Sequence, residues 1–208
     1  MRQATWYFDF LSPFAYLQLA RFKELPPDLE VAFKPVLLAG LLKHWGQRGP
    51  AEIAPKRRFV YRFFQWLGDA RGVPFRMPPS HPFNPLAVLR LAIAAGPDRD
   101  TVQTIFHHVY GKGLQPDDPD NVATIGAALG IHDVASRVAD PAVKQALRDN
   151  TEAAIADGAF GVPSFVIDGE LFWGDDATDM VLDFLCRPDL FRSEEMRRLS
   201  DMPMGITR

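Results

Sequence analysis

The chain has 208 residues and a formal net charge of −3, with 47% hydrophobic and 24% charged residues. Sixteen Phe, four Trp and four Tyr supply enough core material to exclude a disordered chain. The longest apolar stretches fall short of the roughly 20 residues a bilayer span needs, and the slightly acidic balance gives no pull toward nucleic acid or an anionic membrane surface.

Cys186 is the only cysteine, so no disulfide forms within the chain. The lone thiol and an N-terminal run without an apolar signal region point to a reducing, cytoplasmic setting.

Residues 5–10 are aromatic-rich and read as a strand. Ser12-Pro13 follows, a favoured N-cap with proline at the first helical position. A helix is predicted over 13–24, with Gln18 and Arg21 sharing a polar face, until Pro26-Pro27 stops it. Residues 29–35 alternate Leu29, Val31 and Phe33 against Glu30 and Lys34, a second strand. Strand, helix and strand form a βαβ unit, which builds a parallel pair.

The middle of the chain reads as helices only. Residues 56–71 place Phe59, Val60, Phe63, Phe64 and Leu67 on one face and Arg58, Arg62, Gln65 and Asp69 on another. Asn84-Pro85 opens the next helix and Gly96 ends it. Val102, Ile105, Phe106 and Val109 mark another, closed by Gly111. Val122, Ile125 and Leu129 mark a fourth, capped by Asp120 and ended by Gly130. Asp140-Pro141 opens a fifth that runs to about residue 158. Strand signals return at 164–168 and 170–173, joined by the Asp168-Gly169 hairpin turn. A last helix is predicted over 176–186, with Cys186 on its core side. Residues 187–208 are charged and Pro-broken and read as a surface tail.

This order predicts an α/β chain: a thioredoxin-like fold with an inserted all-helical domain. Residues 1–42 and 140–208 form the thioredoxin-like part, and 43–139 the insertion.

Three segments carry chemistry, each with a plain structural alternative. Ser12 lies where a strand meets a helix N-terminus, whose free N–H donors and partial positive charge favour an anion, a thiolate included. It is equally an ordinary N-cap. Val162-Pro163 precedes a strand, where a constrained proline leaves the Val162 backbone free to pair with an extended ligand. It is equally a loop proline. Gly174, Asp175 and Asp176 open the last helix, where a carboxylate is placed to receive a ligand ammonium or simply to cap the helix. In the inferred fold all three fall near one sheet edge, where such folds bind ligands. His107 and His108 are adjacent, so they diverge on a helix and read as a packed or solvated pair rather than metal ligands. Trp45, Phe64, Trp66 and Phe83 either line an aromatic cavity or fill the core of the insertion.

The run Tyr7-Phe8-Asp9-Phe10-Leu11-Ser12-Pro13-Phe14-Ala15-Tyr16-Leu17 resembles the 2-hydroxychromene-2-carboxylate isomerases and the related kappa-class glutathione transferases, of the DsbA-like branch of the thioredoxin superfamily. Lys43, Pro82-Phe83-Asn84, Phe160-Gly161-Val162-Pro163-Ser164 and Trp173-Gly174-Asp175-Asp176 extend the match in order over about four-fifths of the chain. Thiol oxidoreductases of this fold carry Cys-x-x-Cys where this chain has Ser12 and Ala15, so disulfide exchange through that motif is excluded.

The resemblance implies a glutathione-dependent isomerase acting on a bicyclic aromatic catabolite, or a kappa-like transferase. A binding protein of this fold without catalysis is a further alternative. Ser12 would hold the glutathione sulfur, Val162 and Pro163 its cysteinyl part, and Gly174, Asp175 and Asp176 its γ-glutamyl end. Lys43 and Asn84 would face the small aromatic substrate, and the protein would form a homodimer. Members often carry Asp-Arg where this chain has Asp176-Ala177, so one cationic contact is absent.

Overall fold

The structure is a computed structural model that describes residues 2–206. Its sheet has four strands in the order β2-β1-β3-β4, namely β1 (Arg2–Phe8), β2 (Leu29–Pro35), β3 (Ser164–Ile167) and β4 (Glu170–Trp173). β1 pairs parallel with β2 and antiparallel with β3. β3 and β4 form the expected hairpin, with positive φ at Asp168 and Gly169. Two consecutive left-handed residues match the twist of the flanking strands, which favours Asp-Gly here.

β1 is central and buried on both faces. Trp6 and Phe8 point into the main core, and Tyr7 points into a smaller one with Val36, Leu41, Ala154, Ala159 and Val162. Helix α1 (Pro13–Leu19) follows β1, and α2 (Leu38–His44) follows β2. The helical stretch continues with α3 (Ala54–Arg71), α4 (Leu86–Ala95), α5 (Arg99–Phe106), α6 (Pro119–Ala128), α7 (Val134–Ala139) and α8 (Pro141–Ala156). α9 (Thr178–Cys186) and α10 (Glu194–Ser200) close the chain. None of the described helices is long and apolar enough to cross a membrane.

Several expectations are corrected. The first strand spans 2–8, so Asp9 and Phe10 belong to the loop before Ser12. The helix expected over 13–24 ends at Leu19 and resumes as a single 3-10 turn, Phe22–Glu24. Gln18 does not face solvent with Arg21; it is fully buried. α2, α7 and α10 were not legible, because each is only six or seven residues long, too short for a helical period to repeat. The N-cap of α6 is Asp118 rather than Asp120. The last helix begins at Thr178, after a 3-10 turn over Asp175–Ala177, and Cys186 at its end is exposed rather than core. On α3, Phe64 and Leu67 are buried, but Phe59 stays 66% exposed and stacks on Phe63.

One aromatic chain joins the sheet to the helices. Phe8 packs on Phe10, Phe10 on Phe106 at 4.6 Å, and Phe106 on Tyr16 and Tyr110. Tyr110 stacks on Phe75, whose ring also meets Phe64 of α3. Burial of this continuous cluster couples strand and helix stability. Phe106→Ala is expected to cost about 3–5 kcal/mol. Tryptophan fluorescence and far-ultraviolet circular dichroism should still report one coincident denaturant transition, shifted together.

The loop before α1 is pinned by Asp9, whose side chain is fully buried. Its two carboxyl oxygens accept the N–H groups of Leu11 and Leu38, each at 2.9 Å. One side chain thereby fixes the approach to α1 and the start of α2. Burial pushes the Asp9 pKa up to about 7, and the two backbone hydrogen bonds only partly oppose it. Between roughly pH 4, where an unfolded aspartate titrates, and about 7, the folded state binds the proton more tightly than the unfolded state. Stability contributed by this group is therefore greatest at low pH and falls as pH rises through that window. Denaturant titrations of the wild type should show that slope. Asp9→Asn should flatten it, at a cost of about 1–3 kcal/mol because the amide NH2 faces one of the two N–H groups.

Candidate active site

Ser12 caps α1. Its backbone is extended, its Oγ accepts the Ala15 N–H at 3.3 Å, and Pro13 occupies the first helical position. The hydroxyl donates to the Val162 carbonyl at 3.3 Å. Proline has no N–H, and the Phe14 N–H has no hydrogen-bond partner among the described residues. The N-terminus of α1 therefore presents a free backbone donor beside a hydroxyl whose proton is held only by a long contact.

Val162-Pro163, joined by a cis peptide bond, lies against this helix end. The Val162 N–H is also without a partner among the described residues. The Pro163 carbonyl accepts the Gly174 N–H at 2.9 Å, which ties the proline loop to the turn before α9. Gly174 has φ +98°, a backbone conformation that requires glycine, whereas the Asp176 carboxylate tip that a Cβ would meet is exposed and free to move aside.

Gln18 completes the circuit. Its Oε1 accepts the Trp6 Nε1–H at 2.7 Å, and its Nε2 donates to the Gly174 carbonyl at 2.9 Å and to Thr178 Oγ1 at 3.2 Å. A single buried amide thus binds β1, α1 and the Gly174 turn.

The two carboxylates of that turn differ. Asp175 is 2% exposed and forms a bidentate pair with Arg71, at 2.7 and 2.8 Å, from the last turn of α3. Its charge is already matched, which corrects the expectation that either aspartate is open to a ligand ammonium. Asp176 is exposed and is the one left open. Ala177 brings no cation, but Arg71 brings one to the same turn from another element.

The structure therefore brings Ser12, Val162, Pro163, Gly174, Asp175 and Asp176 together. It does not bond Lys43 or Asn84 to them. Lys43 is exposed in the last turn of α2, while Trp45, two residues on, donates its Nε1–H to the Ala159 carbonyl near the Val162 loop. Asn84 is exposed and uses its side-chain carbonyl to accept the Leu86 N–H at the start of α4. Among the four candidate cavity aromatics, Phe64 and Phe83 are buried in the core, whereas Trp45 and Trp66 are exposed. His107 is exposed, and His108 is buried between the Thr104 carbonyl and Lys112. A surface cavity of about 440 Å³ lies at the far end of α1, lined by Tyr16, Lys23, Arg99 and His107 among others. Ser12 and the Gly174 turn do not line it.

Sequence reasoning missed Asp9, Gln18 and Arg71. Asp9 and Gln18 stood in view as polar residues inside an aromatic run, the composition that marks a buried polar group with a partner. Arg71 is 104 positions from Asp175, and nothing local signals that pairing.

A family model described as a DSBA-like thioredoxin domain matches residues 4–186. The 2-hydroxychromene-2-carboxylate isomerase of Pseudomonas putida is 28% identical over 191 residues, covering 87% of this chain and 94% of its own. Glutathione S-transferase kappa 2 of Caenorhabditis elegans is 28% identical over 205 residues, covering 88% and 91%. A solved 2-hydroxychromene-2-carboxylate isomerase superposes with a TM-score of 0.80 at 25% identity, covering 92% of this chain and all of that one. With a thioredoxin-type sheet, helices between its halves, and a family match over nearly the whole described length, the chain belongs to the DSBA-like thioredoxin domain family.

Proposed function

We propose that this protein is a glutathione-dependent isomerase of 2-hydroxychromene-2-carboxylate or a similar bicyclic aromatic catabolite. The observation that carries the reading is the Ser12 hydroxyl at the N-terminus of α1, beside a free Phe14 N–H and the open backbone of Val162. That donor set fits glutathione. An extended peptide pairs with Val162, a sulfur anion lies at a helix N-terminus, and an α-ammonium meets exposed Asp176. Similarity to isomerases and to kappa-class transferases supports the same ligand.

When bound, glutathione supplies a sulfur nucleophile that is returned unchanged in an isomerisation. The protein's residues hold and tune it. Ser12 has one hydroxyl proton and a weak present acceptor, so it can turn to a sulfur anion at little cost. The helix N-terminus adds fixed positive potential that needs no reorganisation. Lys43 and Asn84 are assigned to the substrate side, with Lys43 to meet a substrate carboxylate.

Calorimetric titration of glutathione at two pH values tests the reading. The wild type should release a proton on binding and show thiolate ultraviolet absorbance. Ser12→Ala should raise the bound thiol's pKa by about 1–2 units through loss of one charge-assisted hydrogen bond. Equal titrations for both proteins, or no binding at millimolar glutathione, would reject it. Product analysis with a chromene carboxylate then separates an isomerase, which returns free glutathione, from a transferase, which consumes it.

The γ-glutamyl end gives a second test. Arg71→Met leaves Asp175 buried without its partner and should destabilise the fold by about 3 kcal/mol, measured by denaturant melting. Arg71→Met combined with Asp175→Leu should recover most of that stability, since it removes both charges. Glutathione affinity should survive in the double variant and drop roughly tenfold in Asp176→Ala, the loss of one exposed charged contact to the ammonium.

A further inference from the structure

Leu11, the residue before Ser12, is held at both ends. Its N–H donates to Asp9. Its carbonyl oxygen accepts from Tyr110 Oη at 3.0 Å and lies 2.8 Å from His81 Nε2. The other ring nitrogen of His81, Nδ1, is 2.8 Å from the Tyr61 hydroxyl oxygen, and that same oxygen is 2.7 Å from the His81 carbonyl oxygen.

The protons can be counted. The Leu11 and His81 carbonyl oxygens only accept, so Nε2 carries a hydrogen. Tyr61 has one proton for two neighbours. With a neutral ring, Nδ1 is bare, and the hydroxyl satisfies either Nδ1 or the His81 carbonyl. The remaining contact is then two lone pairs facing each other. With both ring nitrogens protonated, Nδ1–H donates to Tyr61, Tyr61 donates to the His81 carbonyl, and every contact has one donor and one acceptor. We propose that His81 works here as an imidazolium, a cation clamped between Tyr61 and the Leu11 carbonyl that fixes the Ser12 loop and favours a sulfur anion at the α1 N-terminus.

The charged and titratable groups around the ring act in both directions. From α3, Tyr61 faces it; burial raises the Tyr61 pKa, and Arg57 one turn earlier is close enough to oppose part of that rise. Tyr110 approaches from the turn after α5, and Asp9 lies on the other side of Leu11, near enough to raise the Tyr110 pKa. Burial holds the His81 pKa below its ordinary value and its bond to Leu11 only partly offsets this, so the cation rests on the donor and acceptor pairing of Tyr61 and Leu11 against the cost of burial. Arg57 opposes a cation at His81, whereas an ionised Asp9 supports it.

The consequence reaches Ser12 through one peptide. The Leu11 carbonyl and the Ser12 N–H belong to the same planar unit. Two donors on the oxygen fix its orientation, and the Ser12 N–H then bonds the Asp9 carbonyl at 2.9 Å. His81 touches no reacting atom, so it is a positioning residue. The clamp is complete below its pKa and is lost as pH rises through it. Its effect on sulfur rests on the glutathione reading above; its protonation state does not.

Nitrogen-15 ring NMR of the ligand-free full chain, titrated from about pH 5 to about pH 9, tests the protonation in wild type and Tyr61→Phe. Both ring nitrogens of wild-type His81 should be protonated at the acid end. Removal of the Tyr61 acceptor should lower the midpoint by about one pH unit. A neutral Nε2–H tautomer throughout, or an unmoved midpoint in Tyr61→Phe, would overturn the proposal. The bound glutathione thiol is then titrated by thiolate absorbance in wild type and His81→Gln, which keeps a donor for Leu11 without the charge. The thiol midpoint should rise by roughly half a unit or more from loss of a nearby cation, and an unchanged midpoint would reduce His81 to a structural part. Failure of glutathione to bind either protein would remove the ligand reading while the ring titration still decides the charge of His81.

Discussion

The site depends on one buried amide. Gln18 sits in a core of aromatic rings with no access to water, so its donors and acceptor must be met by protein. Trp6 of β1 meets the oxygen, and the Gly174 carbonyl and Thr178 meet the nitrogen. The Gly174 N–H returns to Pro163, and the Val162 carbonyl receives the Ser12 hydroxyl. These bonds form a ring that passes through α1, the proline loop and the turn before α9. Displacing any one of the three segments would strand polar groups in an apolar interior. The relative placement of Ser12, Val162 and Gly174 is thereby fixed by desolvation cost rather than by surface contacts.

Outside this ring the helices are fastened to the sheet by two unlike means. Rings from Phe8 through Phe10 and Phe106 to Tyr110 and Phe75 supply non-directional burial. The Arg71–Asp175 pair supplies direction, because a bidentate guanidinium accepts one carboxylate geometry. The pair also changes the chemistry of the Gly174 turn. Two neighbouring carboxylates with no nearby cation would repel each other and attract any cation. With Asp175 neutralised, the turn presents one net negative charge, on Asp176.

The four strands, the Asp168-Gly169 hairpin and the helix starts at Ser12-Pro13 and Asp140-Pro141 were legible because each is written locally, in alternation, turn chemistry or a cap. The nearness of Ser12, Val162 and Gly174 was legible only through the inferred fold and the family resemblance. The illegible parts are those settled by distant partners. Gln18 looked like a surface residue because its spacing from Arg21 suits a polar face, yet the chain turns after Leu19 and Gln18 meets Trp6 instead. Cys186 looked like core from its neighbours on α9, but the helix ends there and the thiol is exposed. Phe59 followed the apolar period of α3 and still lies outside, since Phe14 and the Phe75–Tyr110 stack already cover the face on which Phe64 packs.

The substitution of serine at position 12 and alanine at position 15 gives the site its logic. A hydroxyl at a helix N-terminus cannot be oxidised to a disulfide, and it stays neutral at physiological pH. It donates one hydrogen bond to an anion without competing for the helix's positive end as a thiolate would. Ala15 is fully buried, so the second position of the motif is part of the core rather than of the groove. The only thiol of the chain stands at the exposed end of α9. Sulfur chemistry at Ser12 must therefore arrive with a bound molecule. The free N–H groups of Phe14 and Val162, the Ser12 hydroxyl and the open Asp176 carboxylate form the donor and acceptor set that the proposed glutathione ligand would meet along its length. Contacts along that length would keep its sulfur at the helix end while a second reactant comes and goes.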